Sequence, residues 1–159
     1  YIIIIHVITV HYKSLAWIPV QHHYIKSNLR DFKIWSFIDE VEFEPWPFDF
    51  DFHFKANSNI MNKKTPHGWA TSVAHGCKLD KMVNKFLTHE PDEDIVLFLD
   101  GDSFPVIPAS DIISSTLEDY DFFAIVRGEN GDSFPHPSFA CCSLGFWRQC
   151  NLSWRQDYR

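Results

Sequence analysis

Much of what marks the common protein classes is missing from this sequence. Lysine and arginine are in the minority, 14 against 21 acidic residues, for a net charge of −7. No basic cluster forms the electrostatic footprint that nucleic acid requires, so no nucleic-acid partner is expected. Long apolar runs are missing too: Ile2–Ile5 and Val7–Val10 are separated by His6, and together they are too short to span a bilayer. No basic region leads into them, so they do not read as a signal peptide, and no transmembrane segment is expected. Glycine is scarce, at six residues, and no fixed-period repeat is apparent. The four cysteines, Cys77, Cys141, Cys142 and Cys150, follow no zinc-site spacing, and the adjacent pair suits no disulfide framework. They read as buried free thiols, which favours a reducing, cytoplasmic compartment.

What is present is enough for a core. Hydrophobic residues make up 45% and aromatics 16%, including fifteen Phe and six Trp, which argues against disorder. At 159 residues the chain suits one α/β domain. It begins at Tyr1 and stops at Arg159 in a polar stretch without a helix stop signal, and is expected to be part of a longer protein.

Residues 2–10 read as a strand buried on both faces. Pro19 suits the first turn of a helix carrying Val20, Tyr24 and Leu29, and residues 32–38 are β-rich. Residues 48–55 alternate aromatic and polar, as a strand with one buried face does. Thr65 and Pro66 fit the cap and first position of a helix reaching about Thr88, whose apolar face rotates near Gly76. Then come an apolar strand at 95–99, a helix at 108–118, a strand at 122–126, a polar loop, and a strand at 140–147. The expectation is a three-layer α/β sandwich with a mostly parallel sheet, in which 2–10, 95–99 and 122–126 lie side by side and parallel.

The 95–99 strand ends in Asp100-Gly101-Asp102. Ligands of such sheets bind beyond the carboxyl ends of the strands. If the stretch is extended, Asp100 and Asp102 face one site, and Gly101 lets backbone and ligand come close. Two carboxylates suit a hard divalent cation, Mn²⁺ or Mg²⁺, that also carries phosphate oxygens and offsets the charge of the chain. The alternative is an ordinary polar strand end. Asp49-Phe50-Asp51 has the same spacing inside the alternating segment, and reads as a solvated strand face.

The segment from His75-Gly76 through Leu79-Asp80 to Asp100, Asp102 and Pro105 resembles the heart of GT-A-type glycosyltransferases, and 134–147 resembles their acceptor side. The resemblance implies a GT-A fold, with residues 1–106 as the donor-nucleotide half and 107–159 as the start of the acceptor half. It implies transfer of a sugar from a nucleotide-diphosphate donor to a hydroxyl acceptor of a glycan, lipid or protein. His11, His75, Asp80, Asp100 and Gly101 would then bind the donor, and Asp100 and Asp102 the metal, with His136 as a further candidate ligand. Arg127 could meet a phosphate or be solvated. The family's acceptor-activating acid is not identifiable; Glu129, Asp132 and Asp157 are the candidates, and turnover by this chain alone is expected to be poor.

Two other functions fit parts of the pattern. A haloacid-dehalogenase-like phosphatase also carries D-x-D after an apolar strand, with the first Asp as nucleophile. It needs a downstream Lys, and none follows Lys85. A non-catalytic binding module could use the aromatic stretch 43–54 as a sticky surface.

Overall fold

Continuous apolar runs need cover on both faces, and the chain provides it. The computed structural model describes residues 2–41, 50–59, 64–65, 68–129 and 131–155, and at 65, 68, 69, 129 and 132 it describes the backbone. The elements are β1 (Ile5–Tyr12), α1 (Ile18–Asn28), β2 (Phe32–Asp39), β3 (Phe52–Ala56), β4 (Lys64–Thr65), β5 (Gly68–Trp69), α2 (Ala70–Lys81), β6 (Ile95–Asp100), α3 (Ser110–Asp119), β7 (Phe122–Glu129), β8 (Asp132–Ser143) and α4 (Leu144–Gln149). A π-helical turn, Met82–Phe86, prolongs α2. Six strands form one mixed sheet in the order β3-β2-β1-β6-β8-β7, and β4 and β5 pair separately. The first four of that order are parallel neighbours; β8 runs antiparallel to both β6 and β7.

Alternate residues of the central strands feed two cores. Ile8, Val10, Val96 and Phe98 pack with Leu79, Met82, Val83 and Trp147 of the α2 and α4 side. Ile5, Val7, Leu97 and Leu99 pack with Ile25 of α1 and Ile113 of α3. The architecture is therefore an α/β sandwich, with helices on both faces of a mostly parallel sheet. None of the helices among the described residues is long and apolar enough to cross a membrane.

Several sequence expectations are corrected. β7 has the direction expected of it but is not beside β6: β8 is inserted between them. The polar loop after 126 is instead a long hairpin, turning at Gly131 with φ +88°. The strand expected over 140–147 stops at Ser143, whose Oγ accepts from Phe146 N–H at 3.1 Å and caps α4. Thr65 lies in β4 rather than at a helix cap, and α2 starts only at Ala70; Pro66 lies outside the described residues. In α1 the buried face is Ile18, Gln21, His22 and Ile25, so two polar residues face inward while Val20 is exposed. Cys141 and Cys142 are buried as expected, but Cys77 and Cys150 are exposed. Burial, and then the neighbouring Cys142, pushes the Cys141 thiol up; Cys142 is pushed up to about 12 by burial and Cys150. Asp51 is exposed, as expected of a solvated strand face, and its Oδ2 also accepts from Ile34 N–H at 2.6 Å. Asp49 and most of the 43–54 stretch lie outside the described residues.

Candidate functional site

The strand order reverses direction of growth between β1 and β6, and the crevice at such a switch point is where open α/β sheets bind ligands. The pairing register brings Asp100 opposite Val10 and Tyr12 opposite Asp39, so β1, β2 and β6 end together. Asp100, Gly101, His11 and Asp39 all lie at this carboxyl edge.

The Asp-Gly-Asp segment is a turn, not extended chain: Ser103 N–H donates to Asp100 O at 2.9 Å. Asp100 and Asp102 consequently open onto different hollows. Asp100 lines a cavity of about 840 Å³, and Asp102 lines a cleft of about 190 Å³ with His11, Ser14 and Trp17. The expectation that alternation points both acids to one site is corrected on this ground. Helix α1 fixes the turn from beneath. Gln21 Nε2 donates to Asp100 O and Ser103 O, each at 2.8 Å, and Asn28 Nδ2 donates to Pro105 O at 2.8 Å. Neither residue stands out in the sequence; the one available signal is a glutamine on the buried face of α1. A side chain on Gly101 would meet Val10 O at 2.6 Å and His11 Nδ1 at 2.9 Å, so glycine is required by close packing of protein backbone.

His75 comes down from α2 onto this edge, with Nε2 3.2 Å from Asp100 Oδ1. The contact is not aligned as a hydrogen bond, and Nε2 is buried without a hydrogen-bond partner. His136 Nδ1 lies 3.7 Å from Asp100 Oδ2. Its ring is already engaged: Ser138 N–H donates to Nδ1 at 3.2 Å, and Arg127 Nη1 lies 3.0 Å from Nε2. To act as a metal ligand His136 would have to give up one of these. His11 is buried, close to Thr9 Oγ1 at 3.4 Å. Burial first, and the neighbouring His22 second, lower its pKa to about 4 against an opposing contribution from Gln21.

Asp80 does not line the cavity. Its carboxylate accepts from Ser153 Oγ at 2.5 Å, Trp154 N–H at 2.8 Å and Arg155 Nε at 3.2 Å. It thereby holds a strap, residues 152–155, that forms one wall. Gly76 serves the same strap: a side chain there would clash with Trp154 O, so it marks a close crossing within a continuous helix. The sequence reading missed Lys78, which pairs with the buried Asp39 and lies 4.8 Å from the Tyr12 ring centroid. Burial alone would raise the Asp39 pKa; Lys78 and the Ser58 N–H more than offset this, and it is lowered. Arg127 lines the same cavity. Glu129 and Asp132 pair as backbone at the hairpin turn, and Asp157 lies outside the described residues.

Among the described residues, one cluster has three metal-capable groups close together, and it is at the opposite edge of the sheet: His6, Glu90 and Asp94. Its hydrogen bonds account for it without a metal. Trp35 Nε1 can only donate, and does so to His6 Nδ1 at 3.0 Å. The ring proton is therefore on Nε2, which donates to Asp94 Oδ2 at 3.0 Å. Asp94 Oδ1 accepts from Ile4 N–H at 3.0 Å, tying the start of β1 to the start of β6.

No known protein family matches the chain, and no curated protein matches it.

Proposed function

We propose that this chain is the sugar-nucleotide-binding part of a metal-dependent GT-A-type glycosyltransferase. The observation that carries the reading is a coincidence of position. The acidic turn, the β1–β6 crevice and the 840 Å³ cavity meet at one sheet edge. Asp100 at the cavity and Asp102 at the adjoining cleft, with Gly101 lining both, offer hard carboxylate oxygens, the donor type that Mg²⁺ and Mn²⁺ take together with phosphate oxygens. Asp102 is exposed and makes no hydrogen bond or ion pair with the described residues, so its carboxylate is available. Such a cation, when bound, offsets the charge that develops on a diphosphate leaving group.

The chain's own side chains have definite tasks in this reading. Arg127 brings positive charge to the cavity wall of a protein whose net charge is −7, while the charge of Lys78 is offset by Asp39. His75 steadies Asp100, with Nε2 3.2 Å from its Oδ1. Tyr12, with Lys78 on its ring, provides an aromatic surface at the end of β1. Gln21 and Asn28 keep the 100–105 turn in place, and a site held by a helix loses little on binding to ordering of its own groups.

A thermal-shift screen of nucleoside diphosphates, with and without Mn²⁺, tests the proposal. Ligand at a hundredfold excess over its dissociation constant stabilises by ~2.7 kcal/mol. For a domain of this size that is about 5–10 °C in Tm. A metal-dependent shift of this order supports the reading, and the absence of a shift with every nucleoside diphosphate overturns it.

A further inference from the structure

Outside the cavity, the least ordinary surface follows the acidic turn. Residues 104–109 read Phe-Pro-Val-Ile-Pro-Ala, an apolar run in a loop, where polar residues are the rule. Both ends of its tip are tied to Asn28: Nδ2 donates to Pro105 O, and the Asn28 carbonyl accepts from Ala109 N–H, each at 2.8 Å. Residues 106–108 therefore stand out beside α1 as a short tip, stiffened by Pro105 and Pro108. Val106 is 66% exposed and Ile107 57%. Helix α1 continues the apolar surface. Phe104 lies between Tyr24, stacked on it with centroids 4.7 Å apart, and Trp17 at 6.4 Å; Val20 is exposed about one turn from each. Contiguous exposed apolar surface of this kind marks a site of interaction with a protein or a membrane.

Charge narrows the choice. The first thirty residues contain Lys13, Lys26 and Arg30 and no acid, so all 21 acidic residues of the chain lie after Arg30. Lys13 and Arg30 have acidic partners, Glu40 and Asp111. On α1 itself, His23 and Lys26 take up much of the remaining exposed arc. In a protein of net charge −7, the apolar tip is thus backed by a helix that carries no negative side chain.

We propose that α1 and the 104–109 loop dock on the surface of an anionic lipid bilayer, with Val106 and Ile107 entering the acyl boundary and Lys26 facing the phosphate headgroups. The proposal stands apart from the glycosyltransferase reading. The affinity of a peripheral surface for membrane comes from buried apolar area plus attraction to anionic lipid, and this face offers both. Trp17 and Tyr24 suit the headgroup level, where rings with a polar edge collect. A second copy of the chain fits less well. A two-fold contact sets each patch against itself, tip against tip, and brings His23 and Lys26 toward their own counterparts. Trp17 also lines the cleft that holds Asp102, so docking sets that cleft beside the bilayer.

Co-sedimentation with sucrose-loaded vesicles tests this, using phosphatidylcholine alone and phosphatidylcholine mixed with phosphatidylserine at physiological ionic strength. The chain is expected to bind the mixed vesicles, and pure phosphatidylcholine more weakly. Val106→Ser combined with Ile107→Ser is expected to bind the mixed vesicles at least ~tenfold more weakly, since two aliphatic side chains leave the acyl boundary. Its urea midpoint should match that of the parent, because both side chains are exposed. Lys26→Gln should weaken the same binding by about fivefold, the worth of one cation near an anionic surface. Val126→Ser, at a comparably exposed aliphatic of β7, should change nothing. Failure of the parent to bind mixed vesicles overturns the proposal, as does equal binding by the doubly substituted chain. Equal binding of the parent to pure phosphatidylcholine and to mixed vesicles overturns the anionic assignment. Self-association that the double substitution abolishes, without vesicle binding, gives the patch to a second copy and overturns the proposal too.

Discussion

Gly101 has no room for a side chain, because β1 passes within van der Waals distance of it. Gly101→Ala would force Val10 O or His11 away from positions that close packing sets. Overpacking of this kind costs about 1–3 kcal/mol, which a urea unfolding midpoint would register. An unchanged midpoint would mean that the turn relaxes freely. His11, packed against the same glycine, gives a second prediction. Its pKa falls from 6.5 to about 4 on folding, chiefly through burial. Between these values the unfolded chain binds the extra proton, so the stability linked to His11 is complete above pH 6.5 and is lost as pH falls toward 4. The full effect is about 3 kcal/mol, since each tenfold loss of proton affinity on folding corresponds to ~1.4 kcal/mol. His11→Gln should flatten the fall in stability between pH 7 and 4.5 relative to the parent, and equal slopes would contradict the assignment. Among residues, Asp100 and Gly101 were legible from their place at the end of one apolar strand, and His75 only through the resemblance. Asp80 was legible only as a buried acid in need of partners, because those partners are 73 to 75 residues away in the chain.

At the scale of elements, period and burial were readable where a segment answers to one neighbour only. The unbroken apolar run 95–99 had to be a strand covered on both faces, and the alternation of 48–55 read as a strand with one buried face, part of which is β3 at the sheet edge. β8 was hidden because prolines and polar residues at 132–138 look like a loop, while the strand is held by pairing with β7 rather than by its own propensity. The 152–155 strap was hidden for the same reason: its order comes from α2. Asp80 is the element-scale anchor of that strap, and Asp80→Asn removes the carboxylate that accepts from three donors. The Trp154 and Arg155 amides should then exchange hydrogen for deuterium at least ~tenfold faster, as expected for loss of about 1.4 kcal/mol of local protection. Unchanged exchange over 152–155, with global stability retained, would show that Gly76 packing alone holds the strap.

For the molecule as a whole, the two edges of the sheet separate structure from chemistry. At the amino edge His6, Asp94 and the Ile4 N–H lock β1 to β6, with every polar atom of the pair accounted for. At the carboxyl edge Asp102 is open on a small cleft, and His75 and Asp100, 3.2 Å apart, line a cavity of about 840 Å³. This division was partly legible, since parallel sheets bind ligands at their carboxyl ends; the different directions of Asp100 and Asp102 were not, because the turn that separates them is imposed by Gln21 from another element. The two edges can be told apart by one experiment. Free Mn²⁺ has a strong electron paramagnetic resonance signal that diminishes on binding, so it can be titrated with protein in the presence of a nucleoside diphosphate. The account predicts that the parent and Glu90→Gln remove the free signal equally, beyond what nucleotide alone removes, and that Asp102→Asn does so at least ~tenfold more weakly. Loss of Mn²⁺ binding in Glu90→Gln with full binding in Asp102→Asn would contradict it, by moving the metal to the amino edge.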